Sequence, residues 1–141
     1  MSKILSDDAK RLIDAPNFAH LTTLMEDGWP KTEPVWIGRD GDRIVIATDH
    51  KSIKGKNIDR DPRVALSITD FGNPYEQLLI RGSVVEARDD SDLKVIDMLS
   101  EKYLGGPFPR RKWPSRVAYY IEADVARYYL SPLKHTPAGR D

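Results

Sequence analysis

The sequence contains no cysteine. A disulfide framework and a thiolate metal site are therefore both excluded. The chain has only three histidines, His20, His50 and His135, and none of them has a second ligand at the spacing of a zinc site. We accordingly predict no metal site. No Ser-His-Asp grouping can be argued from these residues either, so the catalytic residues, if any, are unknown at this stage.

The chain also lacks an excess of either charge and lacks a long apolar run. Its 22 Lys and Arg balance its 22 Asp and Glu, which argues against a general nucleic-acid-binding protein but leaves a local basic groove open. No apolar run approaches membrane-spanning length, and residues 1–5 lack the apolar core of a signal peptide. We expect a single domain over residues 1–141, located in the cytoplasm, with no nucleic-acid or membrane partner.

Turn residues divide the chain into short apolar segments typical of antiparallel strands. Asp27-Gly28 and Asp40-Gly41 each predict a tight hairpin turn, and Pro34 predicts an edge, a bulge or a ligand at that point because it has no N–H for a sheet ladder. A bend is expected near Gly82. The predicted strands are 18–25, 31–38, 43–48, 63–69, 75–88 and 117–130, and the predicted helices are 6–14, about two turns after residue 52, and 90–104. Six mostly antiparallel strands with small marginal helices indicate a mainly β fold, a closed or split barrel.

The segment between the third and fourth strands, Thr48–Arg63, carries the strongest functional signal. Ser52 is positioned to cap a short helix, and Lys51, Lys54 and Lys56 crowd the same end. Lysines do not complement a helix N-terminus, which prefers negative charge. A phosphate group would resolve this conflict, because free N–H groups, a hydroxyl and ammonium groups together bind phosphate well. The alternative is a simple cap beside a solvated lysine face, since Gly55 is the segment's only glycine.

Six short motifs, in this order and spacing, resemble one known family. They are Leu21-Thr-Thr-Leu24, Asp27-Gly-Trp-Pro30, Thr32-Glu-Pro-Val-Trp36, Ser52-Ile-Lys54, Asn57-Ile-Asp-Arg-Asp-Pro-Arg-Val64 and Leu79-Ile-Arg-Gly82. The chain resembles the pyridoxamine 5′-phosphate oxidase-like split-barrel flavoproteins over about residues 18–129. It is most similar to their branch of flavin/deazaflavin oxidoreductases that use coenzyme F420.

The resemblance implies a six-stranded antiparallel split β-barrel of the FMN-binding type. It also implies a homodimer with two cofactor sites at the subunit interface. The implied activity is an F420-dependent reductase that transfers a hydride from reduced deazaflavin to a small unsaturated or quinone-like substrate. The alternatives are an FMN-binding oxidoreductase of the pyridoxamine phosphate oxidase-like type and a non-catalytic cofactor-binding protein.

The resemblance further implies a set of cofactor-binding residues. Ser52 and Lys54 would hold the cofactor phosphate, flanked by Thr48 and Lys51 and supported by Asn57. The ring would lie along Thr32, Pro34, Val35 and Trp36, and the second subunit would approach at Tyr75 and Gln77. One departure counts against oxidase activity: the oxidase that names the family has an arginine between the serine and the lysine, where this chain has Ile53.

Two further features have alternative interpretations. Arg110, Arg111 and Lys112 would receive an acidic cofactor tail or an acidic substrate, or would form a solvated basic loop, and the loop is the interpretation we favour. Trp36 and Trp113 would line a ring pocket or fill core. We favour the pocket for Trp36, because it adjoins Pro34, and packing for Trp113.

Overall fold

The computed structural model describes residues 5–139 and has a mainly β fold. Its elements, in chain order, are α1 (Asp7–Asp14), β1 (Ala19–Leu24), β2 (Pro30–Val35), β3 (Gly38–Asp40), β4 (Arg43–Asp49), α2 (Ile53–Arg60), β5 (Arg63–Thr69), β6 (Glu76–Asp89), α3 (Lys94–Leu104) and β7 (Arg116–Leu130). The strands form one sheet in the order β2-β1-β5-β6-β7-β4-β3, and every neighbouring pair is antiparallel. The predicted mainly β, antiparallel fold is confirmed.

The described chain has seven strands where the sequence predicted six, because the expected return strand 31–38 is interrupted. β2 ends at Val35, and β3 begins at Gly38 on the opposite edge of the sheet. Only Trp36 and Ile37 connect the two edge strands, so the edges must approach each other and the sheet curls into a split barrel. The backbone N–H of Ile37 leaves the ladder and donates to the Tyr103 hydroxyl at 3.2 Å. Pro34 lies on edge strand β2, as its missing N–H predicts.

The two longest strands, β6 and β7, are bent where the sequence predicts it. Their register shifts between Arg81 and Gly82, opposite Asp124. A Cβ atom on Gly82 would lie 2.0 Å from the carbonyl oxygen of Glu122, so only glycine allows the strands to approach this closely. A bulge of this kind increases local twist and curvature, which helps the sheet to close.

The core lies inside the curled sheet, and α1 covers one side of it. α1 buries Ala9, Leu12 and Ile13, whose spacing places them on one face of the helix. The largest fully buried side chains are Tyr119, Leu5, Leu12, Ile13, Leu21, Ile37, Ile44, Ile46, Ile68, Leu78, Ile80 and Leu99. Burial of this apolar surface is the main force that holds the sheet in its curled form.

Helix α3 begins later than the sequence predicts. The expected start was Asp90 or Ser91, but the helix begins at Lys94 after Leu93 with φ of +65°. The Asp90 carboxylate accepts from the backbone N–H groups of Val95 and Ile96, at 2.9 and 3.1 Å. Asp90 therefore satisfies helical N–H groups from outside the helix, three residues before the N-cap Leu93.

The ends of the chain contribute no regular element. Residues 131–139 contain neither helix nor strand, as expected from their prolines. The signal-peptide prediction concerns residues 1–5, of which residues 1–4 lie outside the described residues, as do residues 140–141. No helix in the described range 5–139 is long and apolar enough to cross a membrane.

Candidate functional site

The N-terminus of α2 has the geometry of an anion-binding helix end. Ser52 is the N-cap, and its Oγ accepts from the backbone N–H of Gly55 at 3.1 Å. The first turn contains no acidic residue. The N–H groups of Ile53 and Lys54 lie in this turn, where the helix provides no acceptor, and no described residue accepts from them. The predicted cap is confirmed, and it leaves two N–H donors available beside positive side chains.

Gly55 allows the loop before α2 to pack against the helix. A Cβ atom built on Gly55 would lie 2.7 Å from the carbonyl oxygen of His50. A contact this short between a carbon and a backbone oxygen forces a displacement of the loop. The glycine is therefore explained by this close approach and not by a flexible phosphate loop.

Lys54 is held near the helix N-terminus by a carboxylate on β2. Its Nζ lies 3.7 Å from Glu33 Oε1, and Lys31 Nζ lies 3.0 Å from the same oxygen. The Lys54 side chain is 20% exposed. Because Glu33 already has Lys31 as a nearer partner, Lys54 can exchange this weak ion pair for another anion at little cost.

A cavity of about 320 Å³ opens beside Lys54. It is lined by Phe18, Pro34, Val35, Trp36, Ala47, Thr48, Lys54, Ile96, Phe108, Trp113 and Arg116. Five of the predicted site residues are thus brought together here from β2, its exit, the end of β4 and α2. They are Pro34, Val35, Trp36, Thr48 and Lys54. Its size and its mixture of apolar walls with a few polar groups are those of a small-molecule site.

Stacked aromatic side chains form one wall of this cavity. Trp36 stacks on Tyr103 with ring centroids 5.2 Å apart and an interplanar angle of 6°. Phe108 meets Trp36 edge-on at 6.0 Å and stacks on Trp113 at 5.8 Å. The Tyr103 hydroxyl is fixed in turn by backbone groups of Asn17 and Ile37. The wall is therefore preorganised to accept a flat conjugated ring.

Asp49 connects the phosphate-binding segment to the aromatic wall. One carboxylate oxygen accepts from the backbone N–H of Lys51 at 2.8 Å, and the other accepts from Trp113 Nε1 at 3.2 Å. The hydrogen bond from the Lys51 backbone N–H, together with that from the Trp113 side chain, holds the pKa of Asp49 below its usual value. Trp113 therefore packs, as predicted, but also lines the cavity. Asp49 was missed in the sequence, although an aspartate side chain that accepts from the backbone N–H two residues later is a known turn signal.

Arg116 is a second residue that the sequence did not reveal. It is the first residue of β7 and is buried. Nε and Nη2 have no hydrogen-bond partner among the described residues. Burial lowers the pKa of its guanidinium group, against the opposing effect of Asp90 and Asp49. No local pattern marks an arginine at the start of a strand as a cavity residue, because only the fold brings it to the aromatic wall.

Two predicted residues point away from this cavity or are used elsewhere. The Thr32 hydroxyl is 2.8 Å from that of Thr22, and Thr32 lines a separate cavity on the sheet face. Asn57 is buried, and its amide nitrogen donates to Thr23 Oγ1 at 3.0 Å. Its amide oxygen accepts from Arg60 at 2.7 Å. Asn57 therefore fastens α2 to β1, and direct support of a phosphate by this side chain is not what the geometry favours.

Four other predicted residues also lie outside the cavity. Tyr75 lies in the turn just before β6, and Gln77 lies near the start of β6, where it pairs with Tyr129 across the strands. Their predicted role depends on a second subunit and stays a prediction. Lys51 is exposed beside the cap. Ser52 does not line the cavity, but it positions the helix end from which Lys54 projects.

The basic loop 110–112 is anchored to its surroundings in part. The Arg110 guanidinium lies 4.1 Å from the centre of the Trp113 ring. Arg111 makes two hydrogen bonds to the Asp97 carboxylate, at 2.7 and 3.0 Å, and lowers the pKa of Asp97. Lys112 is exposed. The favoured solvated-loop interpretation fits Lys112, whereas the two arginines have defined partners.

Histidine, aspartate and glutamate side chains are not clustered for metal binding. Within residues 5–139 no group of three or more such side chains is arranged to hold a metal ion. The aromatic wall suits a flat organic ring, and the lysine with the free N–H groups of α2 suits a phosphate. Together these groups suit a phosphorylated organic cofactor.

Comparison with known proteins bears on both fold and family. A solved structure described as an F420 reductase is 27% identical, with a TM-score of 0.79, and the match covers 87% of this chain and 98% of that one. A conserved hypothetical protein from Mycobacterium tuberculosis has the same fold, with a TM-score of 0.77 at 22% identity over 99% of this chain and 94% of its own.

A curated relative and a family model match at the level of sequence. The pyridoxine/pyridoxamine 5′-phosphate oxidase of Christiangramia forsetii is 30% identical over 100 residues, which are 70% of this chain. The match spans only 42% of the length of that relative. The family model of pyridoxamine 5′-phosphate oxidase matches residues 5–129, which includes every strand but the last residue of β7. This chain therefore belongs to the pyridoxamine 5′-phosphate oxidase family.

Proposed function

We propose that this protein is an F420-dependent oxidoreductase that reduces a small unsaturated or quinone-like substrate. One observation carries the proposal: Lys54, Thr48 and the segment Pro34–Trp36 line a single cavity beside a helix N-terminus with two free N–H groups. Family membership supports oxidoreductase activity, and the likeness to a structure described as an F420 reductase supports the choice of cofactor.

The residues of the cavity fit a phosphorylated tricyclic cofactor. In the proposed complex Lys54 Nζ and the N–H groups of Ile53 and Lys54 hold the phosphate, since charged donors and a helix N-terminus act together on the same anion. Trp36 provides a flat surface beside the ring. Because Pro34 and Val35 end edge strand β2 and Trp36 leaves the ladder, this backbone has polar groups available for the ring edge.

The chemistry that the bound cofactor would supply is hydride transfer. The protein's contribution is to orient the reactants and to keep water away from the aromatic wall. The described residues that line the cavity include no aspartate, glutamate or histidine. We therefore propose that the proton comes from water or from the substrate, and we name no catalytic acid or base.

A binding titration tests the proposal. F420 and FMN are titrated separately into the protein, and tryptophan fluorescence is followed because Trp36 and Trp113 line the cavity. Lys54→Ala should weaken cofactor binding about tenfold or more, since a hydrogen bond to a charged group is worth about 1.5–3 kcal/mol.

Lys56→Ala is the matched control, because it removes the same charge from the same helix at an exposed position outside the cavity. It should bind the cofactor nearly as well as the wild type does. Equal losses in the two variants would mean a general electrostatic effect, and no loss in either would count against the assigned site.

FMN is the second candidate for the same site. The family name and the relative from Christiangramia forsetii favour it, whereas Ile53 lacks the charge that the oxidase has between its serine and lysine. The visible spectrum of the protein before and after addition of each cofactor separates the two candidates. Saturation by FMN at concentrations where F420 fails to bind would reverse our choice.

A non-catalytic cofactor carrier is the third candidate, because the described residues that line the cavity include no aspartate, glutamate or histidine to act as a general acid or base. Reduced cofactor and a panel of enones, quinones and tetrapyrroles would decide this point. Turnover of any member supports a reductase, and binding without turnover across the panel supports a carrier.

We also propose that the protein is a homodimer, in which the second copy covers one face of the sheet. A cavity of about 500 Å³ on this face is lined by residues of β1, β2, β5, β6 and β7, including Thr32 and Leu79. Leu79 is 44% exposed, and Tyr129, the strand partner of Gln77, is 56% exposed.

Analytical ultracentrifugation tests the homodimer. The wild-type protein should sediment with twice the monomer mass, and Leu79→Glu should sediment as a monomer. A wild-type monomer would refute the proposal.

A further inference from the structure

Arg116 is a buried cation that the surrounding protein does not satisfy. It keeps 2% of its accessible surface. Its Nε and Nη2 have no hydrogen-bond partner in the range 5–139, although the arginine side chain carries five N–H donors. An unpaired buried charge is costly, and each such group in a folded protein calls for an explanation.

The groups around Arg116 hold its position without using its donors. Its guanidinium carbon lies 4.2 Å from the centre of the Trp113 ring and 5.8 Å from that of Phe108. Asp49 and Asp90 are the nearby carboxylates, but both are engaged elsewhere. Asp49 accepts from Lys51 and Trp113, and Asp90 accepts from two N–H groups of α3. The aromatic contacts therefore fix the cation and leave it able to bind an anion.

The backbone before Arg116 is held in a defined and unusual conformation. Ser115 has φ of +67°, in the left-handed region that non-glycine residues rarely adopt. Its carbonyl oxygen accepts from the His50 N–H at 3.0 Å. The start of β7 is thereby tied to the loop that leads to Ser52, so Arg116 and Lys54 line the same cavity in a fixed relationship.

We propose that Arg116 binds an anionic oxygen, carboxylate or phosphate, of the molecule that occupies the aromatic cavity. This inference rests on the proposed function, because it takes the cavity as the place where the redox reaction occurs. It specifies the chemistry of the occupant of the cavity: a flat conjugated molecule with an acidic group at one end. The acidic group comes from the substrate or from the cofactor, and the experiment distinguishes these sources.

The test compares two ring compounds that differ in charge and little in shape, 2-naphthoate and 2-naphthamide. Each is titrated by calorimetry into the full chain, alone and saturated with F420. Naphthoate should bind at least tenfold more tightly than the amide to the chain alone. A preference that persists with F420 bound assigns Arg116 to the substrate, and one that disappears assigns it to the cofactor. Equal affinities for the free chain would overturn the inference.

Variants identify the residue responsible. Arg116→Gln should abolish the preference for naphthoate, Arg116→Lys should keep part of it, and Arg63→Gln should keep all of it, because the Arg63 side chain is exposed and paired with Asp61. A purely structural role predicts a lower melting temperature for Arg116→Gln with the preference intact, which would overturn the inference. If Arg116→Gln does not fold, Lys54→Ala decides, because Lys54 is the other described cation that lines the cavity. A preference for naphthoate that remains in Lys54→Ala supports Arg116, and a preference that disappears overturns the inference.

The two proposals fail in different ways. If neither F420 nor FMN binds but the free chain prefers naphthoate in an Arg116-dependent manner, the proposed function fails and the anion site stands. If a cofactor binds in a Lys54-dependent manner but the free chain does not prefer naphthoate, the inference fails and the proposed function stands.

Discussion

Helices α1 and α2 are built on the same plan and differ in charge. Each is eight residues long and is capped by a serine with ψ of 163°, and each serine oxygen accepts from the N–H three residues later at 3.1 Å. The first turn of α1 contains Asp7 and Asp8, whereas that of α2 contains no acid. The two helices thus share the same cap but differ in the charge of the first turn. The acidic first turn of α1 satisfies its own helix N-terminus, whereas the N-terminus of α2 is available to an anionic ligand.

The C-terminus of α1 is also matched by a side chain of the appropriate charge. Lys102 donates to the carbonyl oxygens of Ile13, at 2.8 Å, and of Ile37. A cation at a helix C-terminus is favourable for the same reason that an anion is favourable at the N-terminus. Both ends of α1 are therefore satisfied within the protein, whereas the N-terminus of α2 has lysines where an anion belongs.

The largest predicted effect on stability comes from substituting the third helical residue, which is Ala9 in α1 and Gly55 in α2. Gly55→Ala should destabilise the protein by about 1–3 kcal/mol and weaken cofactor binding, because the new methyl group collides with the His50 carbonyl. In an unconstrained helix the same change would stabilise by about 1 kcal/mol. Ala9→Gly should destabilise as well, but should leave cofactor affinity unchanged. Urea unfolding and titration measure both effects, and a stabilised Gly55→Ala protein would refute the close contact.

The two serine caps should respond equally in stability and differently in binding. Ser6→Ala and Ser52→Ala should each lower the free energy of unfolding by about 1 kcal/mol. Only Ser52→Ala should also raise the dissociation constant of the cofactor, since only α2 presents its N-terminus to the cavity. The comparison fails if both variants bind the cofactor as tightly as the wild type does.

Giving each helix the first residue of the other should change the stability of the protein by a smaller amount, with opposite sign in the two helices. Ile53→Asp should stabilise the cofactor-free protein by about 0.3–1 kcal/mol, because it supplies the missing negative charge, and should weaken cofactor binding. Asp7→Ile should destabilise by a similar amount without affecting binding. Thermal unfolding at low salt reveals both changes, and destabilisation by Ile53→Asp would contradict the assigned charge conflict.

The smallest predicted effect is the pH dependence of stability that arises from Lys102 at the C-terminus of α1. Burial lowers the pKa of Lys102 to about 8, below its ordinary value of 10.5. Between pH 8 and 10 the unfolded chain therefore binds the proton more strongly than the folded chain does, so wild-type stability rises with pH. The rise should be modest because the amine is only partly withdrawn from water. Above pH 10 the buried Tyr119, with its pKa raised to about 12, acts in the opposite direction.

Lys102→Met is the control for this pH dependence. Melting temperatures of the variant and the wild type, measured from pH 7 to pH 10, should differ in slope, with only the wild type gaining stability from Lys102. Parallel curves would show that the amine is not held in a low-polarity environment.

Local signals in the sequence were sufficient for most of the helices and strands and for the capped helix with its lysines. The Ser52 cap, the hairpin turns and the bend at Gly82 are properties of neighbouring residues, and each was predicted. The lysines around Ser52 were recognisable because they conflict with their own helix. Short-range chemistry of this kind is present in any segment before the chain folds.

The rest of the site depends on contacts between distant residues. Arg116 follows Lys54 by more than sixty positions, and only the pairing of β4 with β7 brings them to one cavity. Asn57 was assigned to the ligand because it lies one turn after Lys54, but its amide reaches Thr23 on β1. Thr32 was grouped with Pro34, yet it lines the cavity on the sheet face. The separate strand β3 likewise follows from the closure of the sheet.

A crystal structure of the protein with bound F420 tests the central claim most directly. The account predicts a phosphate oxygen within hydrogen-bonding distance of Lys54 Nζ and of the N–H groups of Ile53 and Lys54, with Lys54 released from Glu33. A phosphate bound elsewhere, with Lys54 still paired to Glu33 and the N-terminus of α2 unoccupied, would contradict it.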